Sequence, residues 1–248
     1  MTRYKLTLEY DGTDLIGWQE NAQGPSVQSL LQDAVFKFCQ QYVEVFAAGR
    51  TDAGVHALGM ACHFDLSDSD HDAETVMRAL NFYLNDAPVC VLNCEIVPDD
   101  FHARFSCLRR NYRYVILNRR APAVLDKNKV WWIPRSLDID AMRAAAEKLH
   151  GNHDFTSFRA SECQAKSPVK TLDEIRITSN GELITIDFSA RSFLHHQVRN
   201  MVGTLVEIGL GKPYDIDEIF AAKNRSAAGP TAPPSGLYFV SAEYASNG

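Results

Sequence analysis

The order in which strand-like and helix-like hydrophobic patterns follow one another most constrains the fold of this chain. Residues 3–10 alternate between apolar and polar side chains, which predicts a strand. Residues 27–38 carry an apolar stripe at helical spacing behind Ser26, a typical helix N-cap. Further strands are predicted over 43–47, 58–65 and 89–97, and a further helix over 72–84. The first half therefore has the order β-α-β-β-α-β.

The second half repeats this order. Strands are predicted over 111–117, 172–178, 183–189 and 237–244, and helices over 138–150 and 195–208. Asn180-Gly181 predicts a tight turn between the two middle strands, and residues 227–236 predict a loop. We therefore predict an α+β fold of two ferredoxin-like (RRM-like) halves, 1–105 and 106–248. Their antiparallel sheets are expected to join into one central sheet, with a cleft between the halves.

The segment 49–57, GRTDAGVHA, is the best local candidate for a functional site. In an extended segment Arg50 and Asp52 point to the same face, so the cation could keep the carboxylate ionised. The bracketing glycines permit unusual backbone angles and leave room for a substrate. A turn with a surface ion pair is the simpler interpretation, and the segment by itself favours it.

The second half offers Tyr112 on its first strand and Arg199 in a helix whose other residues are mostly apolar. A guanidinium there must find an anionic partner or reach the cleft, although the pattern by itself favours a surface arginine with a buried stem. The chain has no P-loop, dinucleotide fingerprint or paired-cysteine metal motif. We therefore expect chemistry that uses side chains alone, without cofactor or metal.

Charge is unevenly distributed along the chain, whose net charge is −6. Residues 65–100 contain nine acids and one base, and residues 101–135 contain nine bases and one acid. A basic block of this strength can bind a polyanion even in an acidic protein. We expect Arg109 and Arg110 within it to contact phosphates. Alternatively, the two blocks mainly neutralise each other.

Cysteine usage and hydropathy indicate a cytoplasmic protein that does not associate with membranes. The six cysteines show no CxxC spacing, which favours reduced thiols over disulfides or zinc. No apolar run is long enough to span a bilayer.

Several blocks together resemble the TruA-type tRNA pseudouridine synthases. GRTDAGVHA is similar to the catalytic signature of that family. Further similar blocks follow the same order along nearly the whole chain: YDGTDLIGWQ at 10–19, PDDFHARFSC at 98–107, RNYRYVI at 110–116, FLHHQVRNMVGTL at 193–205 and GLYFV at 236–240. One departure is Asn85, which stands where the family pattern has a proline.

The resemblance implies isomerisation of uridine to pseudouridine at positions 38, 39 and 40 of the tRNA anticodon arm, without cofactor or metal. It implies that Asp52 is the essential carboxylate, with Arg199 as its ion partner. Tyr112 is implied to stack on the target base, and Leu237 to pack at the active site. Arg50 then becomes a candidate for handling the flipped nucleotide. A homodimer that binds the tRNA anticodon stem-loop is also implied.

Two other classes of protein fit parts of the sequence. A catalytically silent RNA-binding module of two RRM-like halves would need exposed aromatic residues in RNP-like strands, and the strands here match poorly. A base-releasing glycosidase would need a second carboxylate and a water site, for which the sequence offers no clear candidate.

Overall fold

The computed structural model describes residues 1–67, 69–161, 163 and 165–245. Its helices are α1 (Val27–Cys39), α2 (Ala73–Tyr83), α3 (Ile139–Leu149), α4 (Gln197–Gly209) and α5 (Ile216–Ala222). Its strands are β1 (Thr2–Tyr10), β2 (Phe46–Ala47), β3 (His56–Leu66), β4 (Val89–Val97), β5 (Arg109–Asn118), β6 (Trp131–Ile133), β7 (Gly151–Asp154), β8 (Val169–Asn180), β9 (Leu183–Ala190) and β10 (Leu237–Glu243). The predicted α+β class is confirmed.

The chain folds into two compact units. The first unit comprises Met1–Arg110 and the residues from Tyr238 onward, and the second comprises Asn111–Leu237. This division differs from a single boundary near residue 105, because the chain returns to the first unit at its C-terminal end. The return is made by β10, which pairs in parallel with β3 through Tyr238 opposite His56.

The first unit is built on a mixed sheet in the order β4-β1-β3-β10, with β2 paired to β3. Strand β1 runs antiparallel to both β3 and β4. Its alternation has the predicted consequence, because Tyr4, Leu6 and Leu8 are fully buried and Tyr10 is 3% exposed. The predicted order β-α-β-β-α-β is confirmed here, although the second strand is only the two residues of β2.

The helices of the first unit begin where their capping residues predict. Ser26 accepts a hydrogen bond from the backbone N–H of Ser29, and the Ser29 side chain accepts one from the backbone N–H of Ser26. Asp72 caps α2 through the backbone N–H of Thr75. Such caps satisfy amides that the helix itself leaves without partners, each contributing about 1 kcal/mol. Asn85 is exposed in the turn between α2 and β4.

A buried histidine on β3 lies in an aromatic cluster of the first unit. His63 is 1% exposed and stacks on Phe46 with ring centroids 5.2 Å apart. Its Nδ1 accepts a hydrogen bond from the backbone N–H of Ala103 at 3.2 Å. Burial, reinforced by the nearby His102 and Arg3, lowers the pKa of His63 to about 4. The imidazole is therefore neutral in the folded protein at neutral pH.

This histidine predicts that folding stability falls as the pH is lowered from about 6.5 to about 4. In the unfolded chain His63 takes up a proton near pH 6.5, whereas the folded chain resists protonation until about pH 4. The expected loss of unfolding free energy across this window is about 3 kcal/mol, measured by urea unfolding at several pH values. His63→Gln should remove most of this loss, whereas His150→Gln, at an exposed position, should retain it. Equal pH dependence in the two variants would contradict the assignment.

The second unit contains a sheet in the order β5-β9-β8-β7, with β6 paired in parallel to β5. Strands β8 and β9 form the predicted hairpin, and Asn180 pairs with Leu183. The two turn residues are therefore Gly181 and Glu182, one position later than predicted, and Gly181 supplies a φ of 61°. Helix α4 contacts α3 and is buried over most of its surface.

Several short elements of the second unit were not predicted. They are β6, β7, α5 and the 3₁₀ turns Thr156–Phe158, Arg225–Ala227 and Pro234–Gly236. The last two lie at the two ends of the segment predicted as a loop over 227–236. Helix α4 begins at Gln197 rather than at residue 195, because His196 has a φ of 61° and cannot continue a right-handed helix.

All six cysteines are free thiols, as predicted. Among the described residues, no helix has the length and apolar character needed to cross a membrane.

Candidate active site

The backbone around Asp52 is fixed by a second segment of the first unit. Asp52 forms an antiparallel bridge with Gly17, and the backbone N–H of Trp18 donates to the carbonyl of Thr51 at 3.0 Å. The carbonyl of Asp52 in turn accepts from the N–H of Val55 at 3.1 Å. The half-buried carboxylate of Asp52 therefore projects from a backbone that is bonded on both sides.

Gly17 makes this close approach possible. Its φ is 105°, and a Cβ atom built on it would lie 2.5 Å from the carbonyl oxygen of Thr51 and 2.9 Å from the carbonyl carbon of Asp52. Any larger residue would therefore meet backbone that cannot rotate away. Gly49 and Gly54 lie on either side of Arg50 and Asp52 in the sequence. Of these two glycines, Gly54 adopts a left-handed φ of 79°.

The residues flanking Asp52 are anchored inward. Thr51 is 8% exposed, and its hydroxyl lies 2.8 Å from the hydroxyl of Tyr10. His56 is 1% exposed, and its Nδ1 accepts from the backbone N–H of Gly12 at 3.0 Å. These contacts tie the segment to the end of β1 and fix the direction in which Asp52 projects.

Arg50 lies on the surface of the first unit. Its side chain is exposed, and within the described residues no ion pair joins it to Asp52. The ion pair that the i, i+2 spacing allows between Arg50 and Asp52 is therefore absent from the described residues. An exposed cation two residues from the carboxylate is instead available to a ligand.

Arg109 and Arg110 differ in their surroundings. Arg109 is exposed, with Nη1 3.9 Å from the Glu243 carboxylate. Arg110 is 8% exposed; its Nε donates to the carbonyl of Ala48 at 2.9 Å and its Nη2 to the carbonyl of Arg104 at 2.7 Å. This geometry makes Arg110 a bridge between backbone segments and argues against the predicted phosphate contact.

Tyr112, Arg199 and Leu237 belong to the second unit. Tyr112 is half-buried on β5, and its ring meets that of Phe193 edge-on, with centroids 5.1 Å apart. Such an arrangement restricts the rotation of the ring. Leu237 is 5% exposed and follows the 3₁₀ turn Pro234–Gly236.

Arg199 lies in the first turn of α4, and its Nε donates to the carbonyl of Ala232 at 2.8 Å. The backbone N–H of Ala232 donates back to the carbonyl of Arg199 at 3.1 Å. The guanidinium is thus held by the segment 225–236, which we call the proline loop. It is half-buried in a helix whose other residues are mostly buried.

The second unit also contains a pocket of about 270 Å³ beside the start of α4. Its lining residues are Ala160, Ser161, His195, His196, Asn200, Arg225 and Thr231. Asn200, Arg225 and Thr231 were not singled out in the sequence. No local signal marks them as a group, because the three residues are brought together only by the fold.

A family model described as tRNA pseudouridine synthase matches residues 7–106 and 145–245. The chain is 57% identical to the tRNA pseudouridine synthase A of Rhodospirillum centenum, over 98% of this chain and 100% of that protein. It is 52% identical to that of Paramagnetospirillum magneticum, over 100% and 97% of the two chains. For the protein of Rhodospirillum rubrum the identity is 53%, over 97% and 87%.

A solved structure described as a Cbf5-Nop10-Gar1 complex is similar with a TM-score of 0.38 and 10% identity, over 96% of this chain and 49% of that chain. This likeness is too weak to carry an argument.

Proposed function

Because the chain belongs to the tRNA pseudouridine synthase family, we propose that it isomerises uridine to pseudouridine in tRNA. The proposed targets are positions 38, 39 and 40 of the anticodon arm, and the reaction uses no cofactor. The observation that carries the proposal is Asp52, a carboxylate on a rigid backbone within the segment GRTDAGVHA.

The reaction suits a single well-placed carboxylate. The N1–C1′ bond of uridine breaks, the uracil turns, and a C5–C1′ bond forms. The C5 proton is lost and N1 gains one, so that no water or redox partner enters. Breaking a glycosidic bond builds positive charge at C1′, which a carboxylate stabilises or traps. We propose Asp52 as the nucleophile, acting at C1′ or C6 of the target nucleotide, with abstraction of a proton as the alternative role.

The remaining residues supply charge and shape. We propose Tyr112 as the aromatic platform for the detached base, since its ring is already restrained by Phe193. Arg199 is proposed as the cationic catalytic residue and Leu237 as an apolar wall of the site. The exposed Arg50 is proposed to hold the target nucleotide flipped out of its stack, a step that costs a few kcal/mol.

The proposed RNA contacts include Arg109, whose exposed guanidinium can reach a phosphate. Arg109→Gln is expected to reduce the slope of log affinity for tRNA against log salt concentration by about one unit, because one phosphate contact is lost. Filter binding over a range of salt concentrations measures this slope. Arg110→Gln should lower stability and leave the slope unchanged, since Arg110 binds carbonyl groups instead.

Arg176→Gln, at an exposed site paired with Glu174, is the matched control for lost surface charge. If the salt-dependence slope of Arg109→Gln equals that of Arg176→Gln, the proposed phosphate contact of Arg109 is contradicted.

We also propose that the protein acts in the cytoplasm as a homodimer. Support comes from its membership of the family and from the resemblance of its motifs to those of TruA-type enzymes. Sedimentation of the purified protein at micromolar concentration should give the mass of two chains, and a single-chain mass would refute the dimer.

Nucleoside analysis of digested tRNA tests the proposed function against its alternatives. After incubation with the protein, uridine should decline and pseudouridine should rise by the same amount. Release of free uracil would indicate a glycosidase, and binding without any change in the nucleosides would indicate an RNA-binding module. Either result would overturn the proposal.

A further inference from the structure

The proline loop is held on α4 by a network centred on Asn200, a fully buried side chain. The Asn200 Nδ2 donates to the carbonyl of Phe158 at 2.8 Å. Its Oδ1 accepts from the hydroxyl of Thr231 at 2.7 Å and from Nη2 of Arg225 at 3.0 Å. Arg225 Nη2 also lies 3.1 Å from the Thr231 hydroxyl oxygen. These contacts fix which way the amide faces and leave the Thr231 hydroxyl acting as donor and acceptor at once.

The other arm of Arg225 binds the backbone of the same loop. Its Nη1 donates to the carbonyl of Gly229 at 2.8 Å and approaches that of Ala228 at 3.4 Å. One guanidinium therefore joins two loop carbonyls to the side chains of Asn200 and Thr231. The loop is bonded both to itself and to α4.

Close packing prevents this loop from sliding along the helix. A Cβ on Gly203 would fall 1.7 Å from the carbonyl oxygen of Pro230, and one on Gly229 would fall 2.8 Å from Cα of Thr204. The Thr204 hydroxyl accepts from the backbone N–H of Gly229 at 2.9 Å. Helix and loop thus meet at backbone distance, in a single register.

The same register places the loop residue Ala232 next to the guanidinium of Arg199. Thr231 and Ala232 are adjacent in the loop, as Arg199 and Asn200 are in α4, so the side-chain bond from Thr231 to Asn200 lies beside the bond from Arg199 Nε to the Ala232 carbonyl. Because the guanidinium is planar, fixing Nε–H also fixes the directions of the two terminal nitrogens.

We propose that Thr231, together with Asn200 and Arg225, is a positioning device that sets the orientation of the Arg199 guanidinium for the reaction. The inference rests on the proposed function, in which Arg199 is catalytic. The three residues act through Arg199 and are not themselves catalytic. The Thr231 hydroxyl is the part that can be removed with least change in shape.

Thr231→Val removes this hydroxyl and nearly keeps the volume of the side chain. We expect kcat to fall about tenfold, with KM for tRNA within twofold of wild type, because a misdirected guanidinium impairs the reaction more than binding. Thr231→Ser restores the hydroxyl and should return kcat to within twofold of wild type. Failure of serine to rescue, or full activity of the valine variant, would overturn the proposal.

A double-mutant cycle with Arg199→Lys separates positioning from general weakening of the fold. Lysine keeps the charge but lacks the planar fork that Ala232 orients. In this background Thr231→Val should change kcat less than twofold. An equal loss in both backgrounds would overturn the inference alone, whereas a wild type that makes no pseudouridine overturns the proposed function on which it rests.

A readout independent of turnover is hydrogen exchange at Arg199 Nε, followed by NMR with ¹⁵N-arginine. Exchange should be slow in the wild type and in Thr231→Ser, and faster in Thr231→Val, because the bond to the Ala232 carbonyl loosens. Unchanged exchange in the valine variant would contradict the proposed coupling. Thermal unfolding of each variant shows whether that variant is folded at the temperature of the activity and exchange measurements.

Discussion

Asp52→Asn is expected to lower the rate of pseudouridine formation at least about a thousandfold, while tRNA affinity stays within a few-fold of wild type. Asparagine preserves the shape of the side chain but can neither carry the negative charge nor act as a nucleophile. Loss of a reacting carboxylate acts on this scale because the group is used in the transition state rather than in binding. Tritium release from tRNA labelled at uracil C5 measures turnover, and filter binding measures affinity.

Asp52→Ala should behave in the same way, and Glu44→Gln serves as the control for loss of an exposed carboxylate in the same unit. The control is expected to turn over at the wild-type rate. Turnover by Asp52→Asn within tenfold of wild type would remove Asp52 from its proposed role. A parallel loss of affinity and rate would instead mean that the substitution damages binding.

Gly17→Ala is expected to lower both stability and turnover. The φ of 105° is strained for any residue with a Cβ, and that Cβ would press on the backbone of Thr51 and Asp52. Strain and overpacking together predict a loss of more than about 2 kcal/mol of unfolding free energy. Because the displaced backbone carries Asp52, turnover should fall about a hundredfold even where the protein remains folded.

Gly24→Ala is the matched control, because Gly24 lies with Gly17 in the connection between β1 and α1. Its nearest contact would be the Cγ2 methyl of Ile16 at 3.2 Å, a side-chain atom that can shift. We expect it to stay within about 1 kcal/mol of wild type and to keep its turnover. Urea unfolding gives the stabilities, and turnover is compared well below the melting temperature of each variant. Wild-type behaviour of Gly17→Ala would show that the bridge to Asp52 does not constrain the site.

Local sequence patterns predicted the strands, helix starts and turns that are determined by residues close together in the chain. The alternation in β1, the cap at Ser26 and the helix starts predicted at Asp72 and Asp138 correspond to observed strand and helix starts. The Asn180-Gly181 signal also produced a hairpin, with the turn one residue later. Each of these depends on side chains within a few residues of one another, which a sequence displays directly.

The remaining features depend on residues that are far apart in the chain. The sequence of β10 does not indicate that this strand pairs with β3, because the paired residues Tyr238 and His56 are separated by most of the chain. Short elements such as β6 carry too few residues for a period to appear. The α4 boundary moved because a single residue, His196, adopts a left-handed φ.

The candidate site shows the same contrast. Asp52 and Arg199 could be selected from the sequence because each lies in a distinctive local string. Gly17, Asn200 and Thr231 could not, because their roles arise from contacts across loops: Gly17 with the Asp52 backbone, and Thr231 with Asn200. The i, i+2 spacing of Arg50 and Asp52 allowed an ion pair but did not require one, because residues that share a face need not be paired.

Position-resolved mapping of pseudouridine in a tRNA transcript incubated with the purified protein tests the central claim most directly. The transcript should carry uridines at positions 38, 39 and 40 as well as in the other arms. We predict new pseudouridine at positions 38–40 with wild-type protein and none with Asp52→Asn. Absence of pseudouridine with the wild type, or its appearance only in other arms, would contradict the proposed function.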